Sequence, residues 1–371
     1  MREGALPLNE TWRTPALRLI ANGQAVAGVV EAEIRANNHL AADRFSASIA
    51  LGVDLFATAS FWSAAQDISV DLQFSLDGTG FESLLQGLVD TVSMDPVGGL
   101  VRIEGRDFTA ELIDTRTQEA FSNRTSSEIA VLLAQRHGLI PAVTPTTTPV
   151  GRYYQDEHDR ITLNQFSRAT TEWDLLTFLA RQEGFDIFVH GTTLYFMPAQ
   201  QQSDLRVLRP EDCIDLHLLR SLTLARDIEV TVKSWNSRQK TAFSQTARAA
   251  RGGRQAGASS SRTQSLQRYV LVRPNLTPDQ ALQLAQRKLA ELTQHERVIE
   301  ATMPGELSLT PRSAIVLAGT GTDFDQTYFV DVIERSISPH AGFVQRIRAK
   351  NTSPRPQTTI PADVIGAVAE L

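Results

Sequence analysis

Between Ile68 and Leu76 the chain reads ISVDLQFSL. Ile68, Val70, Leu72, Phe74 and Leu76 alternate without a break with Ser69, Asp71, Gln73 and Ser75. Nine residues of period two fit an extended strand with one dry face and one wet face. A helix would scatter those apolar side chains around its circumference. The pattern returns at Val101 and Ile103 against Arg102 and Glu104. It appears again at Ile228, Val230 and Val232 against Glu229, Thr231 and Lys233. Asn22-Gly23, set between LRLI and QAVAGVV, is a two-residue hairpin signal. The flanks of the chain therefore read as antiparallel β structure.

The centre differs. TSSEIAVLLAQRHG, residues 125–138, opens on a Thr-x-x-Glu capping box and ends on glycine. Residues 170–184, TTEWDLLTFLARQEG, are built the same way, and FDIFVHGTTLYFMP then reads as two short strands around His190-Gly191. A Pro/Thr-rich loop, residues 141–151, lies inside this α+β module. A later helix starts at Thr277, the N-cap, with Pro278 in the first helical position.

One echo links the flanks. Gly78-Thr79-Gly80 and Val89-Asp90 reappear as Gly319-Thr320-Gly321 and Val330-Asp331, both shifted by 241 residues. Leu76 falls on Leu317 and Val92 on Ile333 under the same shift. This points to two copies of one small β-barrel interrupted by the central module. The expected class is thus α+β and mainly β, with duplicated tube-like barrels and an inserted α/β module. The expected divisions are a first barrel over 1–107, the module over 108–220, a second barrel over 221–351, and a tail over 352–371.

A chain of 371 residues with 42% apolar and 21% charged side chains is an ordinary multidomain globular protein. Cys213 is the single cysteine, which excludes an intramolecular disulfide and any cysteine-based zinc site. The N-terminal stretch lacks an apolar h-region, and no run approaches eighteen apolar residues. Neither a secretory signal nor a membrane-spanning helix is expected.

No constellation of catalytic residues emerges. Asp156-Glu157-His158-Asp159 is the densest titratable run, but no second histidine at ligand spacing supports a metal there. The two Gly-Thr-Gly turns lack the lysine and helix start of a phosphate loop. Cys213 reads as a small hydrophobe and His217, two strand positions after Asp215, as structural. The expectation is no catalytic, cofactor-binding or metal-binding residue.

One stretch stands apart. Residues 237–264 hold Arg238, Lys240, Arg248, Arg251, Arg254 and Arg262 and no acid, in a chain of formal charge −6. Its Gly, Ser, Ala and Arg content reads as a long loop without independent structure. These six residues are candidate contacts for an acidic neighbour. In the tail, Val364, Ile365 and Val368 form an apolar stripe that is a candidate docking strap.

Three segments resemble one family. Residues 105–139 resemble a hallmark of the phage late control protein D family, the tail baseplate hub proteins that include the hub of Mu-like phages. The hub portion of type VI secretion spike proteins is related. Residues 170–198 are similar to a second hallmark, a Trp-containing helix followed by a strand pair, and residues 303–351 to the family's closing barrel. The resemblance implies a non-enzymatic homotrimer. Its ring would adapt a six-fold tail tube to a three-fold central spike, with six similar barrels above and three-fold symmetry below. It implies contacts with the tube or distal tube protein, a separate spike, baseplate wedge proteins and the tape-measure protein. It also implies a place in the virion, after assembly in a bacterial cytoplasm, without specific nucleic-acid binding or membrane insertion. Two alternatives stay open: a tail-associated peptidoglycan hydrolase, for which Glu157 is the only start, and a nucleic-acid-binding protein using the basic loop.

Overall fold

Alternating patterns fold here into 21 strands among the described residues, 13 of them in one sheet. The computed structural model describes residues 13–52, 56, 58–117, 119–147, 149–150, 162–163, 171–198, 205–222, 228–236, 241–249, 266–273, 276–293 and 296–351. The first unit comprises β1 (Ala16–Ala21), β2 (Gln24–Ala25), β3 (Val29–Asn37), β4 (Arg44–Ala50), α1 (Ala59–Ala64), β5 (Ser69–Ser75), β6 (Glu82–Asp95) and β7 (Leu100–Asp107). Asn22 and Gly23, with φ of 46° and 79°, make the β1–β2 turn that the Asn-Gly pair predicts. Val70, Leu72 and Phe74 of β5 all face one core with Leu19, Ile34, Phe45, Ile49, Val101 and Ile103. Burying each such side chain contributes about 1.5–3 kcal/mol.

The module follows as α2 (Thr109–Asp114), β8 (Phe121–Ser122), α3 (Ser126–Arg136), β9 (Ile140–Val143), β10 (Thr162–Leu163), α4 (Glu172–Glu183), β11 (Phe185–His190) and β12 (Thr193–Pro198). Both expected capping boxes form, Thr125 with Glu128 and Thr171 with Asp174. Gly184 ends α4 in the left-handed conformation at φ 73°. Ile129, Leu133, Trp173, Leu176, Leu179, Leu194 and Phe196 form a second core.

The remaining elements are β13 (Leu205–Leu208), β14 (Asp215–Arg220), β15 (Ile228–Asn236), β16 (Thr241–Ala249), β17 (Gln267–Val272), α5 (Pro278–Thr293), β18 (Arg297–Pro304), β19 (Ala314–Leu317), β20 (Thr327–Ser338) and β21 (Gly342–Asn351). Thr277 caps α5 together with Gln280. Here the structure departs from the expected divisions. Strands β15, β16 and β17 form a separate three-stranded sheet, and Ile228, Val230 and Val232 pack on Ala281, Ala285 and Leu289 of α5. The strands of the second unit come instead from 205–220 and 297–351. Alternation finds strands but does not say which sheet they join. The basic stretch also contains structure: Thr241–Ala249 is β16, paired with β15 from Asn236↔Thr241 to Ile228↔Ala249.

The large sheet runs β14-β18-β21-β20-β3-β4-β7-β6-β5-β1-β2, with β19 also on β20 and β13 on β19. Its path ends at β14 and at β2, so it is open among the described residues. The two units join through β3 on β20, Ala32–Asn37 against Val332–Ile337.

The 241-residue echo is also geometric. Hairpin β6–β7 bulges between Val89 and Thr91, and hairpin β20–β21 between Val330 and Val332. The bulged acids Asp90 and Asp331 each face a base on the partner strand, Arg106 at 2.6 Å and Lys350 at 2.8 Å. Gly78 and Gly319 both turn with positive φ, 82° and 91°.

Candidate assembly interface

The two Gly-Thr-Gly turns illustrate how the chain uses its polar groups. Asp77 accepts from the backbone N–H of Thr79 and Gly80, which holds its carboxyl far below the usual range. Asp325 does the same for Thr320 and Gly321. A carboxylate of the chain itself already occupies the place a phosphate would take.

The densest titratable cluster among the described residues lies in the module, and no sequence motif announces it. Glu172, in the first turn of α4, is 1% exposed and takes Arg136 and His137, the latter at 2.6 Å, from the end of α3. Arg136 also reaches Glu119 at 2.7 Å, and His137 lies 3.6 Å from Glu111 of α2. These groups tie three helix ends together and satisfy one another. Among the described residues no group of His, Cys, Asp and Glu could hold a metal ion. Asp156, Glu157, His158 and Asp159 lie outside the described residues.

Cys213 is half-buried against the core of the second unit, and its Sγ donates to the Arg209 carbonyl. Burial, then the nearby Asp212, Asp215 and Glu211, push its thiol up to about 11. It is therefore a poor nucleophile. His217 stands exposed on β14, 3.1 Å from Asp215.

Of the six basic candidates, Arg248 is described. It pairs with Glu229 across β15–β16, and Arg268 of β17 approaches the same carboxylate at 3.6 Å. Arg248 thus has an internal partner, while its side chain remains two-thirds exposed at 67%. Arg238, Lys240, Arg251, Arg254 and Arg262 lie outside the described residues, as do Val364, Ile365 and Val368.

A buried joint connects the three parts of the fold. Asp43 immediately precedes β4 and Asp107 ends β7, and the Asp107 N–H donates to the Asp43 carbonyl at 3.0 Å. Burial pushes Asp43 up to about 6 against hydrogen bonds from Asn37 and the charge of Arg312. Burial and then Asp43 push Asp107 well above the carboxylate range. Arg312 stacks on the Phe188 ring of the module at 3.6 Å. Burial lowers the Arg312 guanidinium, opposed by the charges of Asp186 and Asp43.

Two surfaces remain that internal contacts do not explain. The first is the wet face of the sheet across β3, β4, β7 and β6, an open cleft lined by Glu33, Arg35, Arg44, Asp90, Arg102, Glu104 and Arg106. Its charges are interleaved: Arg35 with Glu334 at 3.3 Å, Arg102 with Glu104 at 2.9 Å, and Arg106 with Asp90 and with Asp114 at 2.8 Å. The second is a pair of strand edges. Strand β14 pairs with β18 on one side and ends the sheet on the other, with Ile214, Leu219 and Leu222 exposed. Strand β5 accompanies β6 only as far as Leu88, and the remaining strand, through Asp95, has β7 as its one partner among the described residues. Met94, Val97 and Leu100 are exposed around it. Exposed apolar edge strands are templates for pairing with another chain.

The comparisons bear on this arrangement. A family model described as the Alg8 N-terminal domain matches residues 82–339. No curated protein matches the sequence. Among solved structures, the 43 kDa tail protein of prophage MuSo2 from Shewanella oneidensis superposes with a TM-score of 0.65 at 17% identity, over 92% of this chain and 99% of that one. A tail protein from Neisseria meningitidis gives 0.66 at 15% identity, over 91% and 96%. An E. coli component of the type VI secretion system, itself similar to T4 bacteriophage tail proteins gp27 and gp5, gives 0.53 at 12% identity, over 92% and 79%. The resemblance read in the sequence thus holds at the level of the fold.

Proposed function

We propose that this chain, which belongs to the Alg8 N-terminal domain family, is a structural baseplate hub protein of a phage-type tail. Three copies close a ring that adapts a six-fold tail tube to a three-fold central spike. The observation that carries the proposal is the continuous sheet that crosses both units from β14, which ends it on one side, to β6, whose far half has only β7 beside it among the described residues. Each unit contributes four consecutive strands, β14, β18, β21 and β20, then β3, β4, β7 and β6. Three copies offer six similar blocks to a six-fold neighbour while keeping three-fold symmetry. In this reading each unit is a tube-like barrel segment completed in the assembly, and the duplication is functional.

The full-length likeness to prophage tail proteins supports this place. The likeness to a type VI secretion component supports contact with a spike. Tube or distal tube protein, wedge proteins and the tape-measure protein are the other neighbours, in a virion assembled in the bacterial cytoplasm. The role is non-enzymatic, in keeping with the cluster around Glu172, which among the described residues is spent on internal ion pairs. The interleaved charges of the wet face suit a conduit, since Arg35, Arg102 and Arg106 are each paired with an acid and give a polyanion little to grip. No helix among the described residues is long and apolar enough to cross a membrane. Multi-angle light scattering at micromolar concentration tests the ring: the expected mass is three times 40.8 kDa, and a stable monomer overturns the proposal.

A further inference from the structure

The internal seam between the two units specifies how one copy would meet the next. On β20, β19 covers the start, Thr327–Phe329, and β3 covers the remainder, Val332–Ile337. On β6, β5 covers the start as β19 does on β20, and the position that β3 takes on β20 is open among the described residues. The strand equivalent to β3 can be traced through the ladders. Arg35 pairs with Arg44, which pairs with Arg106. Leu219 pairs with Val298, which pairs with Lys350. Arg106 and Lys350 are the equivalent bases facing the two bulged acids. Strand β14 is therefore to the second unit what β3 is to the first, with Leu219 in the place of Arg35. It lies at the opposite end of the sheet from the gap it would fill.

We propose that β14 of one copy adds antiparallel to the open half of β6 in the next, in the register of the internal seam. Within the chain Ile333, Glu334, Arg335 and Ser336 face Ala36, Arg35, Ile34 and Glu33. The equivalent contact sets Val92 opposite Arg220, Ser93 opposite Leu219, Met94 opposite Leu218 and Asp95 opposite His217. Chemistry supports this register. Leu218 already leans on the core of its own unit, so the exposed Met94 gains an apolar neighbour. Asp95 meets a histidine where a shift by one residue would set it against a leucine. Such a shift would also turn Met94 away from Leu218. The contact is heterologous, each copy giving one edge and receiving the other, which is the kind of contact a cyclic ring is built from. This inference rests on the ring reading above and deepens it to a strand pair.

Cysteine cross-linking tests it. In a Cys213→Ser background, Ser93→Cys with Leu219→Cys should form intermolecular disulfides on mild oxidation, giving dimers and circular trimers on a denaturing gel. Directly opposed residues lie about 4.5–5.5 Å apart, within disulfide reach, and diagonal ones do not. Either cysteine alone should give no ladder, and Ser93→Cys with His217→Cys should cross-link at least about tenfold less. A trimer by light scattering that cross-links through the shifted pair, or through neither, overturns the inference and leaves the ring reading intact. A monomer overturns both. Met94→Glu changes a side chain exposed in the single chain and should dissociate the ring without lowering the helical and strand signal in circular dichroism. A Met94→Glu ring as stable as the parent ring also overturns the inference.

Discussion

The hairpins β6–β7 and β20–β21 are built to one plan and finished differently. Both carry the bulge and the facing acid and base. Asp331, however, is 4% exposed and lies beside Lys350 and His39, whereas Asp90 sits at the cleft rim with Arg106. The difference follows from the neighbouring strand. Strand β3 covers the bulge of β20, and Asn38, just after β3, donates a backbone N–H to the Asp331 carbonyl, while the same site on β6 is uncovered among the described residues. The hairpins also close differently. The last residue of β7 is Asp107 and the equivalent last residue of β21 is Asn351, whose Oδ1 accepts the Arg297 N–H at 2.9 Å. One position thus holds a carboxyl whose hold on its proton burial strengthens, and the other an amide that never needs a proton. Equal backbones therefore carry unequal electrostatic loads, set by what packs over them.

The largest expected effect comes from forcing the hairpins to be alike at Gly105, whose counterpart is Ala349. A Cβ on Gly105 would stand 2.0 Å from the Leu88 carbonyl oxygen and 2.6 Å from the Phe45 ring. Gly105→Ala should cost about 3 kcal/mol or more, read by urea denaturation, because backbone must move to admit the methyl. A loss below about 1 kcal/mol would mean that the two strands separate easily there. Next come the bulged acids: Asp331→Ala should cost about 3 kcal/mol, since it strands a mostly buried lysine, and Asp90→Ala about 0–1 kcal/mol. Equal losses would break the comparison.

A smaller effect, of opposite sign, is expected from Asp107→Asn. Asp43 and Asp107 bind protons more tightly in the folded chain than in the unfolded one. Their contribution to stability is therefore greatest in acid. It falls as pH rises from the ordinary carboxylate value through about 6, and further as Asp107 ionises. Asp107→Asn copies the second hairpin into the first and should raise the melting temperature at pH 7.5 by a few degrees. It should also flatten the decline between pH 4 and 7.5, measured by thermal scans across that range. The smallest effect is expected at Arg248→Ala, about 0–1 kcal/mol by chemical denaturation, because Arg268 stays near Glu229 and the pair is largely exposed.

These contrasts show what the sequence made legible. The echo of Val89-Asp90 in Val330-Asp331 was legible although the bulges it marks were not, and Thr125, Thr171 and Thr277 located three helix starts, because caps are set by residues within a few positions of each other. The seam of β3 on β20 was invisible, since it joins residues about three hundred positions apart and neither strand differs in pattern from its neighbours. Strand β16 was hidden differently. Phe243 and Ala247 are its only apolar residues clearly on the inner face, too sparse a signal beneath the composition of the basic stretch. The candidate surface was hardest to read. Met94 and Leu219 look like ordinary strand residues until the ladder shows that, among the described residues, each has a strand on one side only.

The seam between the units also has a mechanical consequence. Six residue pairs join β3 to β20. Pulled along the strands, such a ladder yields only when all its bonds fail together, whereas pulled at one end it opens like a zip. A pull directed along β3 and β20 would therefore meet the ladder in its strong direction, and the two halves of the chain would move as one stiff plate while the load lasted.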